Sequence, residues 1–446
     1  MSRSLVLAGG GMRVAWQTGV VRALYEHGLT FDHIDGTSGG ILTTGMLLSG
    51  QDPAEMALRW SALRVRDFSS PLPLSGYLRG PWALPALGDA DGVIHRVFPA
   101  LGIDPHTIRS SQLAGTFNLV DFADKTCVAV PHTDIDAQLL AAGMSLPLFL
   151  PPLCRDGHVW TDAVWVKDAN VGEALRRGAD EIWLAWCIAN NPYWGDGPLE
   201  QYVHMIEMSA NGALFAELDA ATRPFILHVV KPEYPLPLDP EFFAGRITAD
   251  TLMEMGYRDA VRYLDGAHPS GVPKDPGCTA MRLTPRGVRY RERLHGTLGG
   301  AELVLEVAVD LPLPDGDAPS AGARLVGHVD HQPWGGRVLL TDGRAQTDGG
   351  TFTYTARASI AGRRQPLRIG RAPATAPIRA LWTRVGSMVL EVGDDTVSTL
   401  ALGPRDAAYA LASVTPLGTH GLHERLDAVA DLAATRLVRA AAGGGR

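Results

Sequence analysis

Asp35-Gly36-Thr37-Ser38-Gly39-Gly40 contains a Gly-x-Ser-x-Gly match, Gly36 to Gly40. The physics of that pattern is a sharp turn between a strand and a helix. Small residues let the backbone fold tightly and let a substrate come close, and the serine hydroxyl is left exposed at the turn. In a chain with 50 glycines the pentapeptide alone says little, so its flanks decide the reading. Leu29, Phe31 and Ile34 lead in as a strand, and Ile41 to Leu48 lead out as a helix. Strand, turn and helix together are the context the motif requires.

The same unit occurs once more, upstream. Ser4 to Ala8 reads as a buried strand broken by Gly9-Gly10-Gly11. Met12 to His27 reads as a helix with Val14, Val21, Leu24 and Tyr25 on its apolar face, stopped by Gly28. Two such units in succession predict βαβ connections and a parallel sheet. The alternation runs on to about residue 265. Phe117 to Val120 and Thr126 to Val130 read as strands, the second apolar enough to be central. Pro147, Pro151 and Pro152 make Ser145 to Pro152 an apolar loop. Residues 266–300 are rich in Pro and Gly at their start and read as a linker. From Leu303 on, alternating runs separated by hairpin signals such as Asp342-Gly343 and Gly393-Asp394-Asp395 predict a separate antiparallel β domain over 301–415. Leu422, Leu426, Val429, Ala433 and Leu437 stand at helical spacing in a closing segment, 416–446.

At 446 residues the chain has room for two or three cores. A net charge of −8 argues against nucleic acid as a partner. Cys127, Cys154, Cys187 and Cys278 are too scattered for a disulfide framework and read as reduced thiols. The apolar start Leu5-Val6-Leu7-Ala8 ends at Gly9, so it reads as a strand and not a signal peptide. No run reaches the ~18 apolar residues of a membrane span. The expected location is the cytoplasm, with peripheral contact at a membrane surface allowed.

A serine nucleophile needs a base, and it needs hydrogen-bond donors where negative charge develops. The amide of Gly39 follows the serine directly. The Gly9-Gly10-Gly11-Met12-Arg13 run lies between a strand and a helix, so its amides converge where the helix dipole favours an anion. Losing one such donor costs roughly 3–4 kcal/mol of transition-state stabilisation. A nucleotide-phosphate cradle is the competing reading, but the run fits neither Gly-x-Gly-x-x-Gly nor a loop ending in Lys-Ser/Thr.

A Gly-Gly-Gly-x-Arg loop followed by Gly-x-Ser-x-Gly resembles the patatin-like phospholipase family. Ala142 to Pro152 is similar to the family's Ala-Ser-x-x-Pro segment, and His158 to Val164 to its Asp-Gly-Gly/Ala motif. Ala174 to Asp180 falls at the usual distance downstream. The resemblance covers roughly residues 4–265. It implies a patatin-like three-layer α/β domain over 1–265 with a mostly parallel central sheet, ahead of the antiparallel β-rich domain and C-terminal helix. It also implies a lipid acyl hydrolase that cleaves carboxylic esters through a Ser-Asp dyad without cofactor. Ser38 would attack, Asp162 would serve as base, and the amides of Gly9, Gly10, Gly11 and Gly39 would hold the oxyanion. Arg13 would support the glycine loop or an anionic head group. The partner implied is a lipid ester; apart from the resemblance, the β domain reads as a dimerisation module, which would make a second copy of the chain a partner, or as a lid. The rival readings are a lipid-binding or scaffolding protein on a patatin fold, and an acyltransferase.

The chain departs from the family at Val14 and Ala163, where the family has glycine, and at Asp168 and Asn170, where it has Asn and Pro. A side chain at 163 requires a backbone that avoids positive φ. Asp168 and Asp156 are the alternative bases. Trp160 and Trp165 read equally as acyl-site lining or as core. His328 and His331 lack further ligands at metal-site spacing and read as turn residues. The Arg282, Arg286, Arg289, Arg291 and Arg293 cluster reads as a solvated face, with anionic lipid heads as the alternative.

Overall fold

The computed structural model describes the chain except for residues 69, 73, 79–83, 196, 314–321, 349–350, 372–386, 394, 420–423, 425, 429 and 431–446. The chain divides into two compact units: Met1–Ala244 with Thr248–Leu283, and Gly245–Ile247 with Thr284–Arg446.

The first unit is built on strands β1 (Arg3–Leu7), β2 (His33–Thr37), β3 (Ala114–Asp121), β4 (Thr126–Pro131), β5 (Leu153–Arg155), β6 (His158–Asp162), β7 (Glu181–Ala185) and β8 (Ile226–Val230). They form one sheet in the order β5-β6-β3-β2-β1-β7-β8, with β4 also on β3. The pairs β1–β2, β2–β3, β1–β7 and β7–β8 are parallel. Leu5, Val6 and Leu7 are wholly buried, as an unbroken apolar run in a doubly covered parallel strand should be. The principal helices are α1 (Ala15–Glu26), α2 (Gly40–Leu48), α3 (Val171–Arg176), α4 (Pro198–Ala220), α5 (Asp239–Phe243) and α6 (Ala249–Asp265). Asn170 caps α3, its side chain accepting from the Glu173 amide at 3.0 Å. Among the described residues no helix is long and apolar enough to cross a membrane.

Three expectations about organisation are corrected. β4 is not central: it pairs only with β3, antiparallel, and Cys127, Val128 and Ala129 stay partly exposed. The stretch 266–283 is not a linker, because Cys278 and Met281 are buried in the core beneath β7 and β8 with Val272 packed against them. Nor is 287–298: it is a strand of the second unit, in which Val288, Tyr290 and Leu294 are core residues. A Pro/Gly-rich composition masked these anchors.

The second unit is antiparallel. Its strands are β9 (Gly287–Leu298), β10 (Ala301–Pro312), β11 (Ala323–His331), β12 (Gly336–Asp348), β13 (Thr351–Ile360), β14 (Arg363–Arg371), β15 (Ser387–Val392), β16 (Asp395–Ala401) and β17 (Thr415–Leu417). β9 pairs with β10, β16 and β17, so the strands from β9 to β16 close on themselves in a barrel-like sheet. Leu303, Leu305, Val307 and Val309 are buried, following the alternation along β10. The arginine cluster is not one solvated face: Arg282 is exposed, but Arg289 and Arg291 are buried, and Arg289 and Arg293 pair with Asp310 and Glu306 across the β9–β10 ladder. In the closing segment the described residues among 424–430 are helical, Leu426 among them; Leu422, Val429, Ala433 and Leu437 lie outside the described residues.

Candidate active site

Register brings two distant residues together. On the side of β3 away from β4, Thr37 at the end of β2 pairs with Asn118. The next residue, Leu119, pairs with Asp162 at the end of β6. β2 and β6 therefore run toward the same point from opposite directions. The residue after Thr37 is Ser38, whose Oγ donates to Asp162 Oδ2 at 2.6 Å. Ser38 holds φ at +53°, an unusual backbone for a non-glycine residue, and the first turn of α2 follows with Ile41 N–H on Ser38 O at 3.0 Å.

Asp162 is buried. Its Oδ1 accepts from the Val164 amide at 2.9 Å, which fixes the carboxylate edge offered to Ser38. Burial pushes its pKa up to about 7, and the Ser38 hydroxyl and the Val164 and Ala163 amides pull in the other direction. The missing glycine at 163 does no harm to this turn. Ala163 is not among the residues with positive φ, and its methyl is buried in the core. The apolar Ser145–Pro152 loop is tied to the same strand, with Thr161 Oγ donating to Ser145 O at 2.8 Å.

The glycine loop divides its tasks, and one expectation fails. The Gly9 amide is not available to an oxyanion, because it donates to Asp168 Oδ1 at 2.9 Å. A Cβ at Gly9 would fall 2.3 Å from Asp168 Oδ1 and 2.9 Å from the Ser38 Cβ, so this glycine is needed for close approach. The amides of Gly10, Gly11 and Gly39 have no hydrogen-bond partner among the described residues. At Gly39 a Cβ would fall 2.6 Å from Gly11 O, so the two glycine turns are in backbone contact. Arg13 is buried, and its Nε donates to Gly10 O at 3.0 Å, bracing the loop from behind. The Met12 amide donates to Asp239 Oδ1 at 3.0 Å. Sequence reading missed Asp239. It lies 227 residues downstream, and its one local signal is Asp-Pro opening α5.

Ser38, Gly10, Gly11, Arg13 and Gly39 line a cavity of about 570 Å³, within the range of small-molecule sites. Its walls are mostly apolar, with Leu42, Met144, Leu146, Phe149, Ile188 and Phe243 among them. Neither Trp160 nor Trp165 lines it. Trp160 packs on His158, and Trp165 packs on Tyr202.

Beneath β2 lies a buried polar chain. Ser4 Oγ and Thr116 Oγ contact the two ring nitrogens of His33 at 3.1 and 2.9 Å. Asp35 accepts from Thr116 Oγ at 2.5 Å and from Asn118 Nδ2 at 2.6 Å, and Asn170 Nδ2 donates to Asn118 Oδ1 at 2.7 Å. Burial raises the Asp35 pKa to about 7 and lowers that of His33 to about 3. The chain ties β2, β3 and the α3 cap together below the serine turn.

Of the alternative bases, Asp156 sits in the β5–β6 hairpin turn with an exposed side chain and is not among the residues lining the cavity. Asp168 is near Asp162 but bonds the glycine loop and not Ser38. His328 pairs with Asp330 at 3.3 Å, and the His331 ring meets Glu302 O at 2.9 Å.

Residues 5–175 match the family model Patatin-like phospholipase. Lysophospholipase NTE1 of Scheffersomyces stipitis is 26% identical over 185 residues, 40% of this chain and 11% of that protein. Patatin-like phospholipase domain-containing protein 7 of Rattus norvegicus is 27% identical over 194 residues, 40% of this chain and 13% of that protein. Patatin-like phospholipase domain-containing protein 6 of Mus musculus is 28% identical over 182 residues, again 40% and 13%. The chain thus spans little more than a tenth of the length of these relatives. Among solved structures, VipD from Legionella pneumophila aligns over 59% of this chain and 67% of its own, at 13% identity and a TM-score of 0.30.

Proposed function

Residues 5–175 are a patatin-like phospholipase domain, and on that premise we propose that the chain is a serine-dependent lipid acyl hydrolase acting through Ser38 and Asp162. The observation that carries the proposal is the 2.6 Å hydrogen bond from Ser38 Oγ to Asp162 Oδ2 at the floor of an apolar cavity.

The reaction follows from the groups present. Ser38 Oγ attacks the carbonyl carbon of a carboxylic ester while its proton passes to Asp162. The developing oxyanion lies against the free amides of Gly10, Gly11 and Gly39, preorganised donors that need no rearrangement. The intermediate collapses, the alkoxide leaving group takes the proton from Asp162, and an acyl-serine remains. Water then gives a proton to Asp162 and attacks the acyl carbon. Ser38 recovers its proton as the fatty acid leaves. A base with a pKa near 7 suits both halves of this cycle. The apolar walls suit an acyl chain, so a lipid ester is the substrate class.

The test is labelling of the full chain with a fluorophosphonate probe alongside hydrolysis of a lysophospholipid and a short-chain ester. Wild type should label, Ser38→Ala should not, and Asp162→Asn should label and turn over slower by roughly 10³-fold. Absence of both labelling and hydrolysis in the wild type would favour a lipid-binding protein. Hydrolysis that survives Asp162→Asn would mean a different base.

A further inference from the structure

We propose that Asp168 is a positioning residue of this site that works as a neutral carboxylic acid, holding the Gly9 amide beneath Ser38 so that Asp162 is the only ionised carboxylate of the pair. The proposal rests on the reading of Ser38 and Asp162 as the hydrolytic dyad.

The geometry comes first. Asp168 is wholly buried. One carboxyl oxygen, Oδ1, accepts from Gly9 N–H, and the other, Oδ2, has no hydrogen-bond partner among the described residues. Gly9 is wedged between that carboxyl and Ser38, as the 2.3 and 2.9 Å approaches of a Cβ built there indicate. Asp168 therefore sets the height of the glycine loop against the nucleophile. A buried carboxylate with a bare oxygen is costly when ionised, and much less so when that oxygen carries the proton.

The charged surroundings agree. The groups facing Asp168 are Asp162 from the end of β6, Arg13 from the turn after the glycines, and the Cys187 thiol from the segment after β7. Burial and the Asp162 charge push the Asp168 pKa up to about 8, while the Gly9 amide and the Arg13 guanidinium oppose the rise. Burial pushes the Cys187 thiol up to about 12, so it adds no charge near neutrality. Two adjacent carboxylates in a dry site do not both ionise readily. Asp162 must be the ionised one if it is to take the Ser38 proton. When Asp168 loses its proton, a second negative charge stands beside Asp162 and the developing oxyanion, and acylation slows.

The sign is thus fixed. kcat/KM rises as Asp162 ionises near pH 7 and falls as Asp168 ionises near pH 8 and above. Asp168→Asn keeps a carbonyl oxygen for Gly9 and places a neutral NH₂ where the acid proton was. The test is the pH profile of ester hydrolysis and of fluorophosphonate labelling for the full-length wild type, Asp168→Asn and Asp168→Ala. Asp168→Asn should stay within about threefold of wild type at pH 7 and lose the alkaline limb, and Asp168→Ala should be slower by about tenfold or more at every pH. An unchanged alkaline limb in Asp168→Asn overturns the proposal. So does a folded Asp168→Asn as inactive as Asp162→Asn, which would make Asp168 a proton-transferring group. Infrared difference spectra do not require an active enzyme. A buried carboxylic acid C=O stretch that persists in Asp162→Asn and in Asp35→Asn, is missing from Asp168→Asn and disappears as pH is raised supports the assignment, and the absence at pH 6 of any stretch that Asp168→Asn removes refutes it. If the wild type neither labels nor hydrolyses, the dyad reading fails separately from the protonation state seen in those spectra.

Discussion

Both units bury carboxylates in their sheets, and they treat them differently. In the antiparallel unit Asp310 is held by Arg289, with Nε on Oδ1 at 2.6 Å and Nη2 on Oδ2 at 2.9 Å, and again by Arg324 at 3.1 Å. In the mostly parallel unit Asp35, Asp162 and Asp168 are as deeply buried, but their direct partners are hydroxyls and amides. A forked arginine locks a carboxylate in its charged form and makes it structural. Burial without a bonded cation leaves the group able to exchange a proton near neutrality. Asp35 shows that this is necessary and not sufficient. Its pKa is raised as far as that of Asp162, but it lies below the turn and is not among the residues that line the Ser38 cavity.

The largest effect should come from breaking the paired case. Asp310→Ala leaves the buried Arg289 guanidinium without the carboxylate it is forked onto, at a cost of about 3–5 kcal/mol to the β unit. Denaturant melts of the full chain should show that loss. The fluorophosphonate labelling rate, measured where both units remain folded, should not change. A parallel loss of labelling would erase the distinction between a structural and a reactive carboxylate.

The candidate site was unevenly legible in the sequence. The Ser38 turn could be read because consecutive residues encode it: small neighbours, an apolar strand before and a helix after. Asp162 could be placed only by the order of motifs, since its partner is 124 residues away and a β-strand register joins them. The Gly9 amide was misassigned for the same reason. A glycine run advertises free donors, but the Asp168 carboxyl that takes one of them comes from 159 residues downstream. Arg289 and Arg293 looked like part of a solvated cluster because a strand alternates its faces and the acids opposite belong to β10. Local stereochemistry is written in neighbours, whereas the charge state of a buried group depends on partners that only the fold supplies.

A smaller effect, confined to the rate, should follow from Gly39→Ala. Its Cβ would meet Gly11 O at 2.6 Å and Gly11 N at 3.2 Å, both backbone atoms that cannot swing aside. The serine turn and the glycine loop must then separate, and one of the proposed oxyanion donors moves out of line. A loss of about 10²-fold in kcat, with little change in KM, is expected. An equal loss through KM would place Gly39 in substrate binding, and no loss would remove its amide from the oxyanion site.

The smallest effect isolates an unpaired carboxylate from catalysis. Asp35 has a folded pKa of about 7, above its ordinary value near 3.8, chiefly because of burial. A group raised on folding contributes stability that is fully present below the unfolded pKa and is lost as pH rises through the folded one. The wild type should therefore lose part of its stability between about pH 4 and pH 7 on this account. Asp35→Asn can mimic the protonated acid: its amide can donate to Thr116 Oγ, whose hydroxyl then donates to His33 Nε2, and its oxygen still accepts from Asn118. Thermal denaturation of the two proteins across this window should show the variant gaining on the wild type as pH rises, by at most a few degrees. Parallel curves would mean that the polar chain beneath β2 keeps Asp35 ionised after all. In that case burial without a cation would not suffice to raise a carboxylate here, and the contrast with Asp310 would have to rest on Asp162 and Asp168 alone.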